Sequence, residues 1–220
     1  MPNNRLKLCM LSGSFEYDSE TSLAVFQDYI EKNRPVQTTQ IIYQSEDDEQ
    51  SLEPLQDADV LLIFTRRLNT TGKELDRFKA YCDAGKPIVG VRTASHAYQN
   101  WLDFDKDVLG GDYQGHYGAG PSARAEINPD AEDHPILQDI SNFDSYGSLY
   151  KNPSIATDTT LLLTGKTEEH TEPVAWTRSH RGGPVFYTSL GHQRDFEVEM
   201  FLRLLANGVL WAGGQLNTIC

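Results

Sequence analysis

Five polar side chains stand where this sequence could do chemistry: Arg92, His96, His116, Tyr117 and His192. The stretch KPIVGVRTASHAY (residues 86–98) runs from an apolar strand, Ile88-Val89-Gly90-Val91, into small and polar residues. In a strand–turn–helix elbow, the seat two residues after such a glycine is the place of a Cys or Ser nucleophile. Here it holds Arg92. A guanidinium stays protonated and offers no lone pair, so it attacks nothing. It can anchor a ligand hydroxyl, carbonyl or carboxylate, or simply pair with a carboxylate near the strand end. Ser95 is a substitute nucleophile only in type, because it falls inside the following turn, three residues past the junction. His96 opens an apparent helix and fits a site or a structural role equally. His192 follows an apolar strand in PVFYTSLGHQRDF (184–196). Its imidazole is suited to moving a proton near neutral pH, and its plain alternative is to cap a turn. His116 and Tyr117 lie in LGGDYQGHYGAGPS (109–122), where Gly110, Gly111, Gly115, Gly118 and Gly120 permit tight backbone paths close to a ligand. The plain alternative is a solvated loop. The segment lacks the GxxxxGK[ST] spacing of a phosphate loop. His96, His116, His180 and His192 are candidates to converge on a metal, but no local His or His–carboxylate spacing supports one, and no metal is expected.

These groups need elements to position them, and strand and helix patterns alternate along the chain. RLKLCMLSG is a first strand ending in a Ser12-Gly13-Ser14 turn. SETSLAVFQDYIEKN has helical spacing through Leu23, Phe26 and Ile30, with Ser19 or Thr21 as N-cap. VQTTQIIYQ is a strand and SEDDEQ a solvated acidic loop. The unbroken apolar run in DADVLLIFTR suits a parallel strand covered on both faces. A helix follows, with Leu75, Phe78 and Tyr81 inward and Gly85 and Pro87 as its stop. This β-α-β-α-β order implies right-handed crossovers and a doubly wound sheet. Residues 103–152 are irregular, as binding loops or lids are. ARAEIN and TTLLLTG are further strands, DHPILQDI a turn with a short helix, and residues 172–191 a hairpin turning at Arg181-Gly182-Gly183. Residues 196–214 form the last helix, whose outer face is a candidate homo-oligomer interface.

The 220 residues carry a formal net charge of −13, which argues against a broad face for nucleic acid or an anionic membrane. A local basic pocket for a small polar ligand remains compatible with it. Three cysteines without tight spacing, Cys9, Cys82 and Cys220, make no disulfide framework or zinc motif and fit a reducing, cytoplasmic setting. The N-terminal segment has no signal-peptide h-region, and no apolar run reaches the length of a membrane span.

DADVLLIFT, KPIVGVRTASHAY, LGGDYQGHYG, DHPIL, SLYKN and PVFYTSLGHQRDF together resemble the trehalose-utilisation (ThuA-like) family, a branch of the class I glutamine-amidotransferase-like superfamily. The resemblance spans nearly the whole chain. It implies a single α/β domain over residues 1–220, with a flavodoxin-like, doubly wound, mostly parallel sheet and helices on both faces. Its site would lie at the carboxyl ends of the strands, where a topological switch point opens a crevice. His192 then matches the late-strand histidine of the amidotransferases, Arg92 replaces their elbow cysteine, and Arg194 stands where a carboxylate commonly follows the histidine. Glutaminase activity is excluded on those grounds. Relatives carry an acidic pair just ahead of the Tyr of SLYKN, where this chain has Gly147, Ser148 and Leu149; the nearest substitutes are Asp144 and Glu16.

The resemblance also implies carbohydrate metabolism, with a small carbohydrate as ligand and a partner oxidoreductase supplying ketosugars or keto-disaccharides. The expected chemistry is isomerisation without a cofactor: His192 moves a proton beside the carbonyl, Arg92 orients the oxygen, and His116 assists. Ser14, Glu16, His96, Tyr117, Tyr150, Gln193 and Arg194 are the expected substrate contacts. A non-catalytic sugar-binding or assembly protein and a metal-dependent small-molecule hydrolase are the alternatives.

Overall fold

The computed structural model describes residues 5–118 and 122–216; Gly120 and Cys220 lie outside them. Nine strands form one mixed sheet in the order β2-β1-β3-β4-β9-β8-β7-β5-β6. β1 (Leu6–Gly13), β2 (Val36–Ile42), β3 (Val60–Thr65), β4 (Ile88–Val91) and β9 (Gly183–Thr188) pair in parallel. From β9 the sheet continues antiparallel through β8 (Thr171–His180), β7 (Thr160–Lys166), β5 (Ala123–Ile127) and β6 (Phe143–Ser145). β3 is buried at every position, as its continuous apolar run requires of a strand covered on both faces.

Helices α1 (Ser19–Asn33) and α3 (Glu199–Ala212) pack on one face and α2 (Gly72–Asp83) on the other, each with its own apolar cluster. Asp18, not Ser19 or Thr21, caps α1: its carboxylate accepts the Thr21 N–H at 3.4 Å. On α2, Phe78 is fully buried against Tyr98 and Phe104, with ring centroids 4.6 and 5.2 Å away. Burying that one side chain contributes roughly 2–3 kcal/mol. Gly85, with φ 64°, ends the helix where a Cβ would strike the Arg181 carbonyl of the β8–β9 turn. Only a glycine lets that turn close over the start of β4.

Three expectations are corrected. β6 is an additional short strand. The last helix begins at Glu199, because Gln193–Glu197 forms a separate 3-10 turn. His96 closes a 3-10 turn, Arg92–His96, instead of opening an α-helix. α3 is buried along most of its length and shows Glu199, Met200, Arg203 and Trp211 outward. No helix among the described residues is long and apolar enough to cross a membrane.

Candidate functional site

The carboxyl ends of β1, β3, β4 and β9 lie side by side, and the loops leaving them build one edge of the molecule. The chain steps outward from β1 to β2 and then returns to β3 on the other side, so the switch point falls at this edge.

Arg92 follows β4 with φ 46°, a left-handed backbone that costs a non-glycine residue about 1–3 kcal/mol. Tyr187 holds the bend by donating its hydroxyl to the Arg92 carbonyl at 2.7 Å. Gly90 makes room for the Tyr187 ring, whose Cδ2 would stand 2.9 Å from an added Cβ. The strained seat of a nucleophile elbow is present, and a guanidinium occupies it.

That guanidinium is 1% exposed. Nη1 donates to the Ser189 carbonyl at 2.9 Å, and Nη2 donates to the Tyr17 hydroxyl at 3.1 Å and the Ser148 carbonyl at 3.3 Å. The Tyr17 and Tyr150 ring centroids lie 4.4 and 4.6 Å from Cζ. Gly147 presses its backbone onto the same group, and a Cβ there would sit 2.5 Å from Nη1. Burial works against the charge, but the Tyr150 and Tyr17 hydroxyls and the Asp195 carboxylate hold the guanidinium above its ordinary pKa. The expectation that Arg92 itself meets a ligand oxygen is therefore corrected: two tyrosines and the 147–148 backbone stand between it and solvent.

His192 is half-buried and caps the Gln193–Glu197 turn. Its Nδ1 accepts the Arg194 backbone N–H at 3.2 Å, so the neutral ring carries its proton on Nε2. Burial, with Arg92 and Arg194 nearby, lowers its pKa against the opposing pull of Asp195. The neutral ring is a hydrogen-bond donor at Nε2, the reverse of the base expected from sequence. Asp195 builds this loop. It is fully buried and accepts from the backbone N–H of Tyr146, Gly191 and His192 and from the Ser145 hydroxyl, all at 2.8–2.9 Å.

His116 is exposed, and its Nδ1 donates to the Gly118 carbonyl at 2.9 Å. A carbonyl only accepts, so Nδ1 holds the proton and Nε2 presents a bare lone pair. His116 bridges the Tyr150 backbone and lines a groove of ≈ 670 Å³ with Tyr117, Lys151 and His170. Among the described residues, no hydrogen bond or ring contact joins His116 to Arg92 or His192.

The remaining candidates divide by burial. Ser14 is 0% exposed and its hydroxyl accepts from Thr93, tying the β1 loop to the elbow. Tyr150 packs on Arg92 and Tyr113. His96, also buried, stacks on Tyr113 at 4.6 Å and places Nδ1 3.0 Å from Ser95 Oγ. Burial and the charges of Arg66, Arg67 and Arg92 push its pKa down to about 3. Ser14, Tyr150 and His96 are therefore supports, not open contacts. Tyr117 carries His170 and Lys151 on its ring and gives its hydroxyl to Glu172, so the chain itself engages both its polar and its apolar parts. Glu16, Gln193 and Arg194 are exposed at the rim. Glu16 pairs with Arg66 at 3.2 Å, Gln193 reaches Asp18 at 3.3 Å, and Arg194 lies 3.9 Å from the Tyr146 ring centroid. Asp144 is committed to Arg124 on the outer strands. His180 ends β8, at the end of β9 opposite His192, so the four histidines do not converge. Among the described residues no group of three or more His, Cys, Asp or Glu is placed to hold a metal ion.

Tyr17, Tyr113 and Asp195 are the members sequence reasoning missed. Tyr113 lay inside the Gly-rich motif beside His116 and Tyr117, and Asp195 one residue past Arg194. Tyr17, in SFEYDS, gave no signal.

Among curated proteins none matches the chain. Solved structures do. A ThuA-like protein from Parabacteroides merdae superposes with a TM-score of 0.79 at 16% identity, covering 99% of this chain and 93% of that one. A ThuA-like protein from Bacteroides uniformis gives 0.72 at 18%, covering 94% and 91%. A glutamine amidotransferase from Thermotoga maritima gives 0.55 at 13%, covering 94% and 97%. Identities this low speak for the fold, an α/β amidotransferase-like architecture. The family described as trehalose utilisation matches residues 8–212, nearly the whole described chain. The chain belongs to this ThuA family.

Proposed function

We propose that this protein acts in carbohydrate metabolism by moving a carbonyl along a ketosugar through proton transfer. The observation that carries the proposal is the opposite tautomers of two histidines, one in the Gly-rich loop and one in the loop after β9. His116 offers a bare Nε2 and His192 an Nε2–H. Moving a carbonyl to the adjacent carbon needs one group to take the C–H proton and another to stabilise the oxygen as charge develops on it. His116 is suited to the first task and His192 to the second. The pKa of His192, lowered by burial, keeps its ring neutral near pH 7, which suits a donor. The reaction consumes no oxidant, so a partner oxidoreductase would supply the ketosugar. Cys9 and Cys82, buried and unpaired, fit action in the cytoplasm.

Incubation with 3-keto-trehalose in deuterium oxide should place deuterium beside the carbonyl, detected by mass spectrometry. His116→Ala and His192→Ala should each slow this by roughly 10²–10⁴-fold. Exchange unchanged in both variants would remove the proposal. The closed packing over Arg92 favours a second reading, a sugar-binding protein without turnover. A sugar-dependent rise in melting temperature with no exchange would establish that one instead.

A further inference from the structure

We propose that the groove beside His116 is a binding site for a neutral, polyhydroxylated ligand, a sugar without acidic substituents, with Lys151 and Glu168 as its recognition pair. This rests on the carbohydrate reading above, whether or not turnover follows binding.

The groove has a volume of ≈ 670 Å³, within the range of about 300–1,000 Å³ typical of small-molecule sites. Two loops from distant parts of the chain make its walls. One is the Gly-rich loop, laid along residues 149–151. The Gln114 N–H donates to the Lys151 carbonyl, the Lys151 N–H to that of Gly115 and the Tyr117 N–H to that of Leu149, each at 2.9 Å. His116 and Lys151 are thereby held in one frame. The other wall is the β7–β8 turn. There the Thr167 N–H donates to the His170 carbonyl at 2.9 Å, and Thr167 Oγ1 accepts the His170 N–H at 3.0 Å. Tyr117 joins the two walls. Its ring stacks on His170 with centroids 3.7 Å apart, and its hydroxyl donates to the buried Glu172 carboxylate at 2.8 Å. Glu172 also accepts the Asn152 N–H at 2.9 Å. Walls fixed in this way need little ordering when a ligand enters.

The lining selects the ligand. Lys151, Glu168 and His116 all face the groove, and among the described residues no hydrogen bond or ion pair engages the Lys151 ammonium, the Glu168 carboxylate or His116 Nε2. The ammonium only donates, and the other two accept. A phosphate or carboxylate on a ligand only accepts, so it would satisfy Lys151 while setting its charge against Glu168 and Glu169. A cationic ligand would meet Lys151 with like charge. A sugar hydroxyl both donates and accepts, so neighbouring hydroxyls take the Lys151 N–H and give to Glu168 or His116 with no net charge to place. Hydrogen bonds to an ionised partner are about twice as strong as neutral ones, which puts the recognition on Lys151 and Glu168. The Tyr117 ring is engaged by His170 and by Lys151, whose Nζ lies 4.6 Å from its centroid, so polar edges and not aromatic stacking hold the ligand. The elbow offers no such place, since Arg92 directs its donors at the chain's own oxygens.

Trehalose, a neutral sugar without a free carbonyl, is the probe, and calorimetric titration is the measurement. The wild-type protein should bind it, and should bind glucose 6-phosphate at least about tenfold more weakly. Lys151→Met and Glu168→Gln should each weaken trehalose binding about tenfold or more, with urea midpoints close to wild type. Lys79→Met, which removes a lysine from over the Trp101 ring on α2, should leave the affinity unchanged. Equal affinity for the phosphorylated sugar would overturn the neutral-ligand assignment. Trehalose bound as tightly by either groove variant as by wild type would overturn the recognition pair and leave the carbohydrate reading intact. No binding of trehalose or of 3-keto-trehalose by the wild-type protein would overturn both.

Discussion

The elbow and the rim obey different physics. At the elbow, Arg92 is sealed beneath Tyr17 and Tyr150, with its backbone strained and its donors directed at the chain's own oxygens. At the rim, His192 and His116 each spend Nδ1 on the backbone, and among the described residues no hydrogen bond engages either Nε2. In an amidotransferase elbow the strained seat presents the reactive group. Here the same strain holds a buried charge, and the nitrogens proposed to handle protons belong to other loops. A fold can keep the geometry of an active site while the chemistry moves to its neighbours. The elbow's interactions should therefore dominate stability, and those of the rim should dominate activity.

The sharpest way to break this division is to neutralise one arginine from each region. Arg92→Met leaves the Ser189 and Ser148 carbonyls and the Tyr17 hydroxyl without their donor, all in buried surroundings. Urea unfolding should register a loss of roughly 3–5 kcal/mol. Arg194→Met removes an exposed guanidinium from the Tyr146 ring and should cost under about 1 kcal/mol. Equal losses in the two variants would end the comparison.

Proton linkage gives the next largest effect, and it comes from two buried groups that grip Tyr113. Asp105 accepts the Tyr113 N–H at 2.9 Å, and His96 stacks on the Tyr113 ring. Burial pushes the Asp105 pKa from 3.8 up to about 7, with Asp112 adding to the rise and the Tyr113 N–H opposing it. Between those values the native state holds a proton that the unfolded chain lacks, so this group makes stability fall as pH rises. His96 works the other way. Its native pKa of about 3 lies below the ordinary 6.5, so within that window the unfolded chain binds the extra proton. Its contribution is fully present above about pH 6.5 and is lost as pH falls toward 3. The two slopes oppose each other from pH 4 to 6.5. Relative to wild type, Asp105→Asn should make stability climb more steeply with pH there, and His96→Asn less steeply. Each slope should change by at most about 1.4 kcal/mol per pH unit. Parallel stability curves for all three proteins would show that neither group is held as described.

The parallel frame was legible in the sequence because its signals are local and redundant. The run Val60–Phe64 is too apolar for anything but a covered strand, and Leu75, Phe78 and Tyr81 mark one face of α2. β6 was hidden because three residues are too few to show an alternation. Arg92 was correctly placed at the end of β4, but its burial was not foreseeable. Charged side chains are exposed by default, and this one is enclosed because distant segments fold onto it: Tyr17, 75 residues away, Tyr150 and the 147–148 backbone. The tautomers of His192 and His116 were equally invisible. Each depends on one backbone group two residues further on, N–H in one case and C=O in the other, presented by a turn whose geometry the sequence does not spell out.

The smallest expected effect tests the rim most finely, because His192 has two jobs that a single deletion confounds. As a turn cap it accepts the Arg194 N–H, and as a neutral ring it carries its proton on Nε2. His192→Ala removes both and should cost about 1 kcal/mol, the usual value of a lost cap, along with the exchange activity. Asn is among the best cap residues, since its side-chain oxygen accepts a backbone N–H in the same way. His192→Asn should therefore return the urea midpoint to within about 0.5 kcal/mol of wild type while leaving deuterium exchange as low as in His192→Ala. Recovery of both would mean that the ring serves only to shape the loop, and Nε2 would lose its claim to the chemistry. Recovery of stability alone places the chemistry on Nε2, one bond network outward from the elbow that gives the fold its strain.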